Sequence, residues 1–307
     1  MMKRDPEPRI TRYFELAFPG TSAQKTAKAK THTPTRKRTA LFVPTKTLTE
    51  RVGFRPAPFS AGVQITHDVH PLLKTVFREG EIGQRYGRHG LERDLSRQQI
   101  IIYTLVVWNG KLLFYRRAKE QGASARERRY LGDERLRGRV SVGFGGHKTI
   151  NDVEHATNQL LLLGELFPGL MPEMTNIVGL NSGVLYEVEE ETGVRPSDIR
   201  RLMLLGGFRD LRERPTRATR IPVGHVHSAI AALVELKKET PITVGKLQFP
   251  AHEVADAWWV PVGRAMTEFK KHRHDMESWS EIMIREFLPR LRRVTEKTTE
   301  GIVINFR

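Results

Sequence analysis

The sequence predicts a mixed α/β domain with a basic N-terminal extension. Apolar, β-branched runs of strand length recur along the chain, and apolar residues at helical spacing lie between and after them. The composition agrees, because 39% of the 307 residues are apolar, enough for a sizeable core. The chain has no cysteine, no secretory leader pattern and no apolar run that approaches a membrane span. We therefore expect a cytoplasmic protein without disulfides, thiolate-bound zinc or membrane contact.

Residues 1–40 form the predicted tail. They hold ten lysines and arginines against three carboxylates, in a chain whose net charge is +16. Residues 21–39 are mostly Thr, Ala, Lys and Arg without apolar periodicity, so ordering them would bury too little surface to offset the lost entropy. We expect a disordered tail that attracts nucleic acid through nonspecific, salt-sensitive electrostatics.

The folded part is predicted to span 41–307. Its clearest local signal is Asn109-Gly110 between the apolar runs 100–108 and 111–115, a two-residue hairpin pattern. Further apolar runs predict three more strands, at 201–208, 226–236 and 257–260.

Two helices are predicted in the second half of the chain. The first is acidic, covers 182–192 and ends at Gly193 as its C-cap. The second begins at Ser278, where Glu281 completes a capping box. It carries an apolar stripe of Trp279, Ile282, Met283 and Phe287.

Three carboxylates on the acidic helix suggest a metal site. Glu187, Glu190 and Glu191 are spaced i, i+3 and i+4, so they share one helix face and repel one another. A hard divalent cation would offset that repulsion, and oxygen ligands favour Mg²⁺ or Mn²⁺ over zinc. The alternative is a solvated acidic face. The glycine-rich strand end 141–147 favours the metal, because a backbone carbonyl there, at Gly145, can approach a cation closely.

With these pieces the chain resembles the Nudix hydrolases, whose signature is G, five residues, E, seven residues and R-E-U-x-E-E-x-G-U, with U aliphatic. The second half matches without a gap at Glu187, Val188, Glu190, Glu191, Gly193 and Val194. Gly146 matches the opening glycine, and Asp152 stands in place of the first glutamate. The resemblance covers roughly residues 41–290 and is nearest to the predicted phosphoesterases of the superfamily. It implies an α/β/α sandwich with a mixed sheet.

The chain departs from the signature twice. Tyr186 replaces the arginine that steadies the carboxylates in the family, and a phenol cannot supply that charge. Residues 153–185 number 33 where the signature has seven, so about 26 are inserted.

The resemblance implies Mg²⁺-dependent hydrolysis of a phosphoanhydride in a nucleoside diphosphate linked to another group. Glu187, Glu190 and Glu191 would be the catalytic metal ligands, with Gly145 as a backbone ligand and one glutamate as an alternative general base. The other interpretation is a weakly active or inactive protein that senses a nucleotide or contacts nucleic acid.

Substrate contacts are expected from Arg116, Arg117, His147 and His227. The two arginines alternate along a strand, so at most one should face a pocket. His225 and His227 should share a strand face, where a structural role is as well supported as a substrate contact. His67 and His70 are interpreted as an incidental pair. The arginine-rich segment 209–220 could bind phosphate or form a solvated loop.

Overall fold

In the part of the chain that the structure describes, twelve strands form one mixed sheet. The computed structural model describes residues 39–86, 89–118, 136–147, 184–185, 188–189, 192–212, 221–237, 254–290 and 302–305. The strands are β1 Thr39–Pro44, β2 Arg55–Ala57, β3 Ser60–Thr66, β4 Glu81–Gln84, β5 Arg97–Trp108, β6 Lys111–Arg117, β7 Val140–Ser141, β8 Gly143–His147, β9 Ile199–Asp210, β10 His227–Leu236, β11 Val254–Pro261 and β12 Ile302–Asn305.

The central path through the sheet is β11-β6-β5-β10-β9-β3-β2. Strands β5 and β10 pair in parallel, from Gln99 opposite His227 to Val107 opposite Glu235. Every other pairing between described strands is antiparallel. The predicted mixed sheet is therefore confirmed.

Helices cover both faces of the sheet. They are α1 Thr45–Val52, α2 Val69–Glu79, α3 Val223–Val226, α4 Ala265–Lys271 and α5 Ser278–Ile282, which continues as a π-helical turn over Met283–Phe287. One apolar core joins α1, α2 and the segment 184–194 to one face. A second core joins α4, α5 and the π-helical turn to the other face. The α/β/α arrangement is confirmed, and none of the helices described has the length and apolar character to cross a membrane.

The hairpin between β5 and β6 forms as predicted. Val107 lies opposite Leu112 and Trp108 opposite Lys111, which leaves a two-residue turn. Asn109 and Gly110 have φ angles of 44° and 69°. Positive φ at both positions gives the turn a twist that matches the flanking strands, which is why Asn-Gly is favoured there.

The last helix begins at Ser278 as predicted, but its predicted capping box is absent. The N-cap is Glu277 and not Ser278, and no side chain caps the helix. The Glu281 carboxylate instead accepts hydrogen bonds from Arg212 and Arg285. Two charge-assisted hydrogen bonds stabilise the Glu281 carboxylate more than one local capping bond would. The prediction of a capping box is therefore wrong. The predicted apolar stripe is confirmed, since Trp279, Ile282, Met283 and Phe287 are all buried.

Two boundaries also shift. Strand β1 begins at Thr39, and Ala40 is fully buried, so the fold includes these two residues ahead of the predicted boundary at 41. Strand β10 begins at His227, because Val226 belongs to α3. The predicted insertion 153–185 lies outside the described residues except for Val184 and Leu185.

Candidate functional site

The second half of the predicted metal motif lies on a helix. Val184, Leu185, Val188, Glu189 and Thr192 are helical in the described part of this segment. Four of them are buried, whereas Glu189 is exposed. The buried positions recur at helical spacing and belong to one stripe, so the helix packs one face against the sheet.

The end of this helix is fixed by its last residues. Gly193 has a φ of 70°, and its amide donates to the Glu189 carbonyl at 2.8 Å, which confirms the predicted C-cap. The Thr192 hydroxyl donates to the Val188 carbonyl and accepts from the Val194 amide at 3.2 Å. Val194 is buried in the same core as Val188. The motif's aliphatic positions therefore anchor the helix.

The predicted metal ligands are not among the residues that the structure describes. Glu187, Glu190, Glu191, Tyr186 and Asp152 all lie outside it. Within the described ranges, no three His, Asp or Glu side chains come together as a metal site. The metal site stays a prediction.

The glycine-rich strand β8 packs closely against β5. A Cβ added at Gly145 would lie 2.0 Å from the Ile102 carbonyl oxygen, and one at Gly143 would lie 2.0 Å from the Tyr103 ring. Packing against β5 is therefore sufficient reason for glycine at both positions. The strand also holds the backbone of His147, whose side chain is outside the description.

Both predicted substrate arginines bind carboxylates of one segment. The Arg116 guanidinium donates to Asp275 at 2.6 Å and to the Gly138 carbonyl at 2.8 Å. Arg117 donates to Glu277. Burial alone would raise the pKa of Asp275, but the hydrogen bond and charge of Arg116 lower it below its ordinary value. These ion pairs tie β6 to the segment before α5.

The four histidines of the predicted pairs occupy four different settings. His225 lies in α3, and His227 is the first residue of β10, so the expectation that they share a strand face is wrong. His227 is 3% exposed, with its Nε2 atom 3.7 Å from a carboxylate oxygen of Glu92. His67 packs edge-on against Phe287 with ring centroids 5.4 Å apart. His70 donates its backbone amide to Asp68, the N-cap of α2.

The arginine-rich segment is divided by the fold. Arg209 is the second-last residue of β9 and is 6% exposed, and its guanidinium donates to the neutral side chains of Thr49 and Gln64 at 3.2 and 3.3 Å. Burial lowers the pKa of Arg209. Arg212 binds both oxygens of Asp210 at 2.8 Å. The other arginines predicted to bind phosphate lie outside the described residues, at positions 214, 217 and 220.

A buried polar network, absent from the sequence prediction, lies beneath α5. The Tyr103 hydroxyl is 2.9 Å from Ser141 Oγ, 3.0 Å from Ser280 Oγ and 3.1 Å from a Glu277 carboxylate oxygen. Ser141 also donates to Glu277 at 2.9 Å, and Arg117 binds the other oxygen. Burial and the charge of Glu277 raise the pKa of Tyr103 well above its ordinary value. Four separate segments supply these residues, so no local pattern could have revealed them.

Similarity to known proteins is found at the level of structure. No protein-family model matches the chain, and no curated protein matches it in sequence. Tm1382, described as a candidate Nudix hydrolase, is 18% identical, with 82% of this chain and 98% of Tm1382 covered and a TM-score of 0.46. A NUDIX-family hydrolase from Clostridium perfringens is 12% identical, with 63% and 98% covered and a TM-score of 0.29. The chain is thus similar in structure to Nudix hydrolases at low sequence identity. DR0079 from Deinococcus radiodurans is 11% identical, with 61% and 82% covered and a TM-score of 0.34.

Proposed function

We propose that the chain is a Nudix-type hydrolase that cleaves a phosphoanhydride bond in a nucleoside diphosphate linked to another group. The observation that supports this is the geometry of the described motif positions. Val188 and Val194, the motif's aliphatic residues, are buried, and its Gly193 ends the helix in the left-handed conformation. In this proposal, Val188 and Val194 anchor the helix that carries Glu187, Glu190 and Glu191, and Gly193 ends it.

The proposed ligands suit a hard divalent cation. Three glutamate carboxylates and the Gly145 carbonyl offer oxygen atoms alone, which is the donor set that Mg²⁺ and Mn²⁺ prefer. When bound, the cation would neutralise pyrophosphate charge and increase the acidity of the attacking water. Glu187, Glu190 and Glu191 hold the cation in this proposal, and one of them accepts the proton of that water.

The proposed substrate contacts come from His147, His227 and one of the two β6 arginines. Asp275 and Glu277 already bind those arginines, so a substrate phosphate has to compete with a carboxylate for Arg116 or Arg117. The same ion pairs hold the guanidinium groups in place before the substrate arrives, which reduces the ordering cost of binding.

The test compares two neighbouring glutamates of one helix. Glu190→Gln should lower Mg²⁺-dependent phosphate release across a panel of nucleoside diphosphate derivatives by about tenfold or more, because it removes a ligand carboxylate. Glu189→Gln is the matched control, since Glu189 is exposed and occupies the variable position of the signature. Calorimetry with Mn²⁺ should show the same contrast. Equal activity and equal binding in both variants would refute the metal site.

Tyr186 supports a second candidate function, a nucleotide-binding or nucleic-acid-associated regulatory protein. An arginine at this position would offset the repulsion among the glutamates, and tyrosine supplies no charge. If the chain is a hydrolase slowed by this change, Tyr186→Arg should raise Mg²⁺-dependent turnover. If it is a regulatory protein, neither form should release phosphate while nucleotide binding persists. We favour the hydrolase, because all three ligand carboxylates are present in the sequence.

A further inference from the structure

Arg209 is a buried cation without a carboxylate partner. It is 6% exposed, and it makes no ion pair with any residue that the structure describes. By contrast, Arg200 and Arg201 on the same strand, and Arg212 after it, each bind a carboxylate. Moving a guanidinium out of water is costly unless an opposite charge compensates for it. A bound anion would supply that compensation.

The hydrogen bonds of the Arg209 guanidinium leave one of its edges open. Both side-chain hydrogen bonds use Nη1, which donates to the Thr49 hydroxyl at 3.2 Å and to Gln64 Oε1 at 3.3 Å. The Nε atom is buried and has no hydrogen-bond partner in the described part of the chain, and Nη2 donates to no described residue either. Nε and Nη2 together form the edge of a guanidinium that can bind two oxygen atoms of one anion side by side.

The surroundings of Arg209 are neutral and close to the surface. Gln64 lies opposite Arg209 in the pairing of β3 with β9, and Thr49 belongs to α1. Thr49 is exposed and Gln64 is half-buried, so the guanidinium lies just beneath the surface between α1 and β3. Burial lowers the pKa of Arg209, and no neighbouring carboxylate acts against that effect. An anion that approaches between α1 and β3 would therefore meet a cation whose charge is not yet balanced.

We propose that Arg209, held in place by Thr49 and Gln64, binds one phosphate group, either as free phosphate or as part of a small phosphorylated ligand. The open edge would donate two parallel hydrogen bonds to phosphate oxygens. Phosphate is favoured over a carboxylate, because no acidic side chain among the described neighbours repels its second negative charge.

This site needs no metal and lies apart from the proposed metal site. Strands β10 and β5 lie between β9, which carries Arg209, and β8, which carries the proposed backbone ligand Gly145. Three strand spacings amount to about 14 Å across the sheet. The inference therefore does not depend on the proposed hydrolase activity.

The experiment measures the binding of inorganic phosphate by calorimetry, in EDTA and at constant ionic strength. The full chain should bind phosphate, and it should bind acetate more weakly. Arg209→Met should weaken phosphate binding about tenfold or more, because it removes the charge and the paired donors. Arg201→Met is the matched control, since Arg201 lies on the same strand and already binds Glu235. It should leave the phosphate affinity unchanged.

The same measurement with AMP identifies the source of the phosphate group. Binding of AMP that depends on Arg209 and is tighter than that of inorganic phosphate would assign the site to a phosphorylated ligand. Weaker or equal binding of AMP would assign it to free phosphate.

Unfolding in phosphate-free buffer separates a binding role from a structural one. Arg209→Met should not reduce stability there, because it removes a buried charge that lacks a counter-ion, whereas Arg201→Met breaks an ion pair. Arg209→Lys covers the case of a Met variant that fails to fold, and it should also weaken phosphate binding measurably, since lysine lacks the paired donors.

Three outcomes would overturn the inference. The first is no phosphate binding by the full chain, and the second is equal phosphate affinity in Arg209→Met and Arg201→Met. The third is a larger loss of stability in Arg209→Met than in Arg201→Met without phosphate, which would show that the chain itself supplies the counter-charge. None of these outcomes affects the proposed hydrolase, which is tested through Glu190 in the presence of metal.

Discussion

Tyr103 shows how one buried side chain organises the interior of this protein. Its hydroxyl is the common partner of Ser141, Ser280 and Glu277, which come from β7, α5 and the residue before that helix. Glu277 is 3% exposed, and a buried carboxylate needs several donors to remain charged. The phenol therefore stabilises the fold as a neutral donor, and ionising it would place two negative charges side by side.

Tyr103→Phe should lower the free energy of unfolding by about 1–3 kcal/mol at pH 7, because it leaves buried polar atoms without a partner. The pKa of Tyr103 is raised in the folded state, so its stabilisation is complete below the unfolded pKa of about 10 and is lost as the pH rises towards the folded pKa. The stability difference between wild type and variant should therefore shrink above pH 10 in urea titrations.

Tyr86→Phe is the control for this titration, since Tyr86 is 58% exposed. Its stability difference from wild type should stay near zero throughout. A Tyr103→Phe difference that stays constant from pH 7 to about 11 would contradict the role assigned to the phenol.

Among the elements, the helix that ends at Gly193 carries the proposed metal ligands. The stability contributed by its glycine C-cap can be tested by mutation. Gly193→Ala should reduce stability by about 1 kcal/mol, because a φ of 70° is unfavourable for any residue with a Cβ atom. Gly53→Ala is its match: Gly53 ends α1 with a φ of 69°, and an added Cβ there would have no atom within 4 Å. Both variants should lose similar stability in urea unfolding.

Metal binding should distinguish the two glycine variants. Gly193→Ala should also weaken Mn²⁺ binding in calorimetry, because it disturbs the helix end next to Glu190 and Glu191. Gly53→Ala should bind Mn²⁺ as the wild type does. Equal Mn²⁺ affinity in both variants would contradict this, because it would show that the conformation at Gly193 does not affect the proposed metal site.

Elements encoded by neighbouring residues could be predicted, and those that depend on distant partners could not. The β5–β6 hairpin follows from Asn109-Gly110, and the C-cap follows from Gly193, since both need a positive φ. The capping box failed because Arg212, 69 residues away, binds Glu281. For the candidate site, the anchoring of Val188 and Val194 agrees with the motif, whereas the Tyr103 network depends on segments that meet only in the folded chain.

For the whole molecule, the tail is the part whose removal we expect to matter least for folding. Deleting residues 1–38 should change the melting temperature by no more than about 2 °C, because residues 21–39 have too little apolar content to add to the core. Nucleic-acid binding should weaken and its salt dependence should flatten, since ten cationic side chains are removed. A large loss of thermal stability would show that the tail packs on the domain.

The parallel pairing at the centre of the sheet has a consequence for the route by which the chain folds. The β5–β10 ladder joins residues roughly 130 positions apart, while β5 meets β6 across two residues. Contacts between distant residues form slowly, so pulse-labelled hydrogen exchange should detect protected β6 amides before protected β10 amides. Lengthening the intervening chain costs only about 0.6 kcal/mol per doubling. The additional residues of 153–185 are far fewer than a doubling of this connection, so their effect on equilibrium stability should be well below about 0.6 kcal/mol.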